Sequence, residues 1–257
     1  MERPFFLSTL QAFFEGDKNL FCKDRRFDIC KRYSEDEKWE KYPILFMNFG
    51  AEQNRPYDSF KRSLIEKMCT FVEDNGIELE LCNPNTNKTV TVSRIIELAI
   101  NKVYEEKKKG IVILIDEYDL PVVNNYFREP VVSEGIEGII RAFFSALKWH
   151  GKGMIHFMFI FGATRITTTG SPHNFLVHLS LDETFSDLIG FSRKELEQVY
   201  KVEIDEVVKK LKLTGPSELF DEILTSYYKH YRFTPDGVPV YNARSMLKYL
   251  IEKPIKP

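Results

Sequence analysis

Ile111-Val112-Ile113-Leu114-Ile115-Asp116-Glu117 decides how this chain is read. Five consecutive aliphatic residues with no polar interruption suit a strand buried on both faces, the kind found inside a parallel sheet. Two adjacent carboxylates follow at once. Similar apolar runs stand on either side: Ile44 to Phe49, after Pro43, and Ile155 to Phe161. A weaker one covers residues 175–181. Between them lie stretches of helical periodicity. Residues 5–14 carry an apolar face and stop at Gly16. Residues 58–74 place Phe60, Leu64, Met68, Phe71 and Val72 on one side and stop at Gly76. A helix over 93–109 ends in three lysines with Gly110 closing it. Ser133 is the expected cap of a helix whose stripe is Ile136, Ile139, Ile140, Phe143, Phe144 and Leu147. Strands alternating with helices predict an α/β domain with a mostly parallel sheet in three layers.

The character changes near residue 190. Ser192-x-x-Glu195 is a capping box, and charged helical patterns follow over 203–211, 217–229 and 242–251. The sequence therefore predicts an α/β core over 1–190 and an α-helical subdomain over 191–257. Net charge is −2 and the pI about 6.3, so no global field draws the protein to nucleic acid or anionic lipid; a nucleic-acid target is left unspecified. Residues 154–163 form the longest apolar stretch, far short of the ~20 residues that span a bilayer, and Met1-Glu2-Arg3-Pro4 does not open a signal peptide. An intracellular protein with no membrane partner is expected. Cys22, Cys30, Cys69 and Cys82 show no metal-ligand spacing, and reduced thiols are the expectation.

Chemistry is expected at the carboxyl end of the 111–115 strand, because α/β sheets bind ligands there. The pattern fits the Walker B element of NTPases, with Asp116 holding Mg²⁺ and Glu117 orienting and deprotonating the attacking water. A strand that simply stops in a solvated acidic turn reads the same way from these residues alone. After the 155–161 strand comes Gly162-Ala163-Thr164-Arg165. Thr164 stands where a sensor residue would meet the γ-phosphate or the lytic water, and Arg165 could meet a phosphate. A phosphate-binding loop requires Gly-x-x-x-x-Gly-Lys-Ser/Thr, glycines for backbone wrapping and Lys and hydroxyl for phosphate and Mg²⁺. The pattern does not occur in the 257 residues.

Five blocks in order resemble the AAA-ATPase-like family of P-loop NTPases: Phe6-Leu-Ser-Thr-Leu-Gln-Ala-Phe-Phe-Glu-Gly16, Trp39-Glu-Lys-Tyr-Pro-Ile-Leu45, Ile113-Leu-Ile-Asp-Glu-Tyr-Asp119, residues 180–191, and Tyr231-Arg-Phe233 leading to Val240-Tyr-Asn242. The resemblance implies ATP and Mg²⁺ as ligands, Asp116 as metal ligand, Glu117 as catalytic base, Thr164 and Arg165 at the nucleotide, and a PD-(D/E)XK nuclease-like module as a companion. Its phosphate loop would end on Glu2, Arg3 and Pro4, so none of the loop's residues carries over. The strand that leads into that loop, which lies beside the 155–161 strand in the family's sheet, is missing as well.

Three functions follow as expectations. One is a degenerate ATPase-like module that keeps Walker B and sensor-like residues with impaired ATP binding and hydrolysis. Another is a fragment of an active ATPase whose loop lies upstream. The third, a metal-dependent nuclease using Asp116, Glu117 and Asp119, lacks a Lys at nuclease-like spacing. The gap beside the 155–161 strand has three resolutions: pairing with residues 175–180, a partner chain completing the sheet, or poor solubility.

Overall fold

The computed structural model describes residues 5–22, 29–30, 39–52, 56–83, 90–126, 129–150, 153–164, 176–228 and 230–252. The chain divides into two compact units, Met1–Phe175 and Leu176–Pro257.

The first unit runs α1 (Phe5–Phe14), α2 (Lys18–Cys22), β1 (Ile44–Asn48), α3 (Tyr57–Asp74), α4 (Val92–Lys107), β2 (Ile111–Asp116), α5 (Leu120–Tyr126), α6 (Pro130–His150) and β3 (Ile155–Ile160). The strands form one parallel sheet in the order β1-β2-β3. β2 is central and buried at all six positions, as its unbroken apolar run requires. Its side chains alternate between two cores. Ile111, Ile113 and Ile115 pack into a large cluster with residues of α3, α4 and α6, including Phe60, Ile96, Phe143 and Phe144. Val112 and Leu114 face the other way, against Leu7 and Phe14 of α1. Helices thus cover both faces of the sheet.

β3 differs from β2 although its sequence is apolar at every position but His156. Every residue of β3 is partly or fully exposed, and among the described residues its only strand neighbour is β2. Phe46, Phe157 and Phe159, expected in the core, are half-buried around α1. The strand expected at 175–180 does not form over residues 176–180; Phe175 lies outside the described residues. Val177 and Leu181 are 82% and 81% exposed, and the Asp182 N–H turns back to the Leu179 carbonyl at 3.1 Å. Asp182 then caps the short turn Glu183–Phe185 by accepting the Thr184 N–H. The chain bends where a strand would have to continue.

Two helix ends also differ from expectation. Lys108, at φ 51°, rather than Gly110, ends α4 in the left-handed conformation. Ser133 lies inside α6, which starts at Pro130, a residue suited to a first turn; its hydroxyl donates to the Val122 carbonyl at 3.0 Å.

In the second unit, β4 (Phe191–Ser192) pairs antiparallel with β5 (Val240–Tyr241). Around this pair stand α7 (Arg193–Val199), α8 (Lys201–Leu211), helical turns from Pro216 to Tyr227, and α9 (Ala243–Glu252). Their core includes Leu196, Ile204, Val207, Phe220, Tyr241 and Tyr249. The Ser192–Glu195 capping box is present with both reciprocal bonds.

The cysteines overturn the expectation of free thiols. They form two disulfides, Cys22–Cys30 and Cys69–Cys82. Beyond Gly76 the chain doubles back against the end of α3, which brings Cys82 within 5.4 Å of Cys69 between Cα atoms. Spacing in sequence could not reveal that return. The second bridge closes a loop of sequence separation 13, and cross-links of that length stabilise by about 3 kcal/mol through the unfolded chain. Cys69→Ser with Cys82→Ser is therefore expected to lower the urea midpoint by that equivalent, and reductant should act on the wild type but leave much less to lose in the double variant.

Candidate functional site

The carboxyl edge of the sheet gathers the acidic residues. β2 holds its direction to Asp116, which is 0% exposed. The chain then turns sharply at Glu117, whose φ of 53° lies in the left-handed region. For a non-glycine residue that conformation costs about 1–2 kcal/mol. The turn swings the next residues beneath the exit of β3 and starts α5 through a Leu120 N–H bond to the Glu117 carbonyl at 3.2 Å. Tyr118 packs its ring edge-on against Phe144, and Asp119, 1% exposed, follows.

β1 supplies a polar end of its own. Asn48 donates from Nδ2 to Asp116 Oδ2 at 2.8 Å and accepts the Gly50 N–H on Oδ1 at 2.8 Å. Gly50 lies directly under Glu117; a Cβ there would overlap the Glu117 carboxylate. From β3, the Phe161 N–H bonds the Ile115 carbonyl at 2.8 Å, extending the ladder past the strand. The Thr164 N–H then donates to Asp119 Oδ2 at 2.6 Å. Gly162 is pressed close enough that a Cβ would sit 2.6 Å from Asp119 Oδ1 and 2.7 Å from the Tyr118 ring.

Each acid keeps an oxygen without a donor. Asp116 Oδ1, Glu117 Oε2 and Asp119 Oδ1 are all buried and unpaired. Buried carboxylate oxygens normally find partners. Burial pushes the Asp116 carboxyl up to about 6, with the neighbouring Glu117 and Asp119 charges adding to the effect and the Asn48 bond opposing it. A divalent cation, or a proton, would offset the charge of such an arrangement. Among the described residues no three His, Cys, Asp or Glu side chains form a metal cage. A cation at Asp116 would therefore draw its other ligands from water or a bound substrate, as magnesium commonly does.

α1 points its start at this edge. The Phe6 ring meets Phe159 at 5.2 Å, while Phe14 meets Phe157 at 5.1 Å and its carbonyl accepts the Tyr42 N–H just before β1. The helix therefore runs opposite to the strands, with its N-terminal end on the side of Asp116. Glu2, Arg3, Pro4 and Arg165 lie outside the described residues. Thr164 is exposed and is brought to the acidic turn through its backbone. Asn48, Gly50, Gly162 and the tie through Asp119 were not read from the sequence as site residues. The one signal was a polar residue or glycine immediately after an apolar strand.

The model of the predicted AAA-ATPase family matches residues 3–171, and the chain belongs to that family. A relative from Azotobacter chroococcum mcd 1, "Uncharacterized protein in vnfD 5'region", is 25% identical over 258 residues. That match takes in 99% of this chain and 44% of the relative, so the chain spans less than half the relative's length. No solved structure matches the chain.

The raised Asp116 pKa has a definite sign. The folded protein holds this proton up to about pH 6, while the unfolded chain releases it near 3.8. Between those values the folded state binds more protons, so stability falls as pH rises through the window. Asp116→Asn keeps an acceptor for Asn48 and removes the charge. It is expected to flatten the pH 4–6 slope and to stabilise the protein at pH 8 by on the order of 2 kcal/mol in urea unfolding.

Proposed function

We propose that this member of the predicted AAA-ATPase family keeps the metal and water half of an ATP site at the carboxyl edge of its sheet, and that ATP binding and hydrolysis are impaired in the chain by itself. The observation that carries the reading is the set of three buried, unpaired carboxylate oxygens at the end of one dry strand. Leaving them charged and unpaired is costly, and a bound cation would offset that cost where a proton does not.

In this reading Asp116 is the metal residue and Asn48 fixes which of its oxygens is free. Glu117, held over Gly50, orients the attacking water and takes its proton. Thr164 and Arg165 form the nucleotide side from β3. A magnesium ion there would offset the charge that builds on phosphate oxygens in phosphoryl transfer. What the 257 residues do not contain is the glycine-rich loop that wraps phosphates with backbone N–H groups.

The edge of β3 that no described strand covers supports a second reading, in which the chain acts as part of a longer, active ATPase. A strand from a preceding segment would pair with β3 and lead into α1 at the site, or a partner chain would supply the strand, and a nuclease-like module would be the companion. An unpaired apolar edge is a liability that proteins normally cover. The two readings part in one experiment. Millimolar Mg·ATP is expected to leave the melting temperature of the chain unchanged. A chain extended before Met1 by a family-like strand and a Gly-Lys-Ser loop should melt higher and gain a further rise with Mg·ATP. A ligand at 100 times its dissociation constant gives about 2.7 kcal/mol, and Asp116→Asn should abolish the gain. An extended chain that melts no higher and ignores Mg·ATP would contradict both readings; a shift in the unextended chain would contradict the impairment.

A further inference from the structure

The acidic turn and the exit of β3 meet at one side chain, and it is not one of the residues assigned to metal, base or nucleotide above. Asp119 is 1% exposed, yet it neither joins an ion pair with a described cation nor faces solvent. One of its oxygens takes the Thr164 N–H at 2.6 Å across 45 residues of sequence; the other is buried without a donor. Its surroundings are built to hold it there. The left-handed turn at Glu117 sets its position, its carbonyl accepts the Val122 and Val123 N–H groups that start α5, and Gly162 leaves the space its Oδ1 fills.

We infer that Asp119 is a positioning residue: its carboxylate ties the Thr164 backbone to the acidic turn, so that the β3 exit and the Asp116–Glu117 pair are held in one fixed geometry. The functional weight of the tie rests on the reading of Thr164 as the nucleotide side of the site. The tie itself does not. A charged acceptor makes a stronger bond to an N–H than a neutral one, and Thr164 is otherwise exposed on a loop leaving a strand with a single neighbour among the described residues. Without Asp119 nothing else that the structure describes binds the Thr164 N–H.

The test compares substitutions that remove the same charge. Asp119→Asn keeps a carbonyl oxygen for the Thr164 N–H. Asp119→Leu has the same branched outline, is larger and has no acceptor, and Asp119→Ala serves if leucine does not fold. Amide exchange at Thr164, read by NMR in the full chain without nucleotide or metal, should be protected in the wild type and largely protected in Asp119→Asn. It should quicken by about tenfold or more in the variant without an acceptor, the loss expected for a hydrogen bond to a charged group. Exchange at Val112 and Leu114 in β2 should be unchanged, which separates loss of the tie from general loosening. Gly162→Ala, which crowds Oδ1 and the Tyr118 ring, should quicken Thr164 from the other side. Equal exchange in the Asn and Leu variants, or no protection in the wild type, overturns the inference. Because no metal or nucleotide is used, that failure is distinct from a failure of the proposed ATP site.

Discussion

A carboxylate carried into a dry place at the end of a buried strand is the interaction on which the rest of this structure turns. Asp116 cannot retreat to solvent, because the five residues before it are locked between two apolar cores. Desolvation and the two neighbouring acids raise its pKa, and the strand cannot relieve that cost by fraying. Around it the chain accepts further local expense: a left-handed Glu117, and glycines at 50 and 162 where side chains would collide. Strain and unpaired polar groups gathered at one edge are characteristic of sites whose occupant supplies the compensation.

The sheet itself has two unlike sides. β1 and β2 are covered by long helices, and α3, α4 and α6 fill one face with aliphatic and aromatic side chains. β3 is apolar apart from His156 and less sheltered: every residue is partly or fully exposed, and no described strand lies beyond it. The direction of α1 matters here. Its N-terminal end approaches the acidic edge, so a chain entering α1 passes the place where phosphate groups are favoured by helix termini. The geometry fits a P-loop type of fold, and the family match over residues 3–171 agrees with it.

Much of this was legible in the sequence for a physical reason. Ile111–Asp116 has no polar residue before its last, so only a doubly covered strand suits it; β1 shares that character, while β3 is interrupted by His156. The helices announced themselves by period and by the Ser192–Glu195 box. What escaped was set by long-range return of the chain. The Cys69–Cys82 bridge depends on a reversal after Gly76, and the Asp119–Thr164 bond joins residues on different strands' exits. The supposed strand at 175–180 shows the opposite error: a short apolar run looked buried, and residues 176–180 instead pass into a capped turn. Composition gave it hydrophobicity but no neighbour.

In the function proposed above, Asp116 takes up a cation before any nucleotide arrives. Titration of the full chain with Mn²⁺ at pH 8, followed by the electron paramagnetic resonance signal of the free ion, tests it most directly. A saturable Mn²⁺ site that Mg²⁺ displaces and that Asp116→Asn removes, with the variant folded, is the expected result. Absence of a saturable site in the wild type, or equal binding in Asp116→Asn, would contradict it.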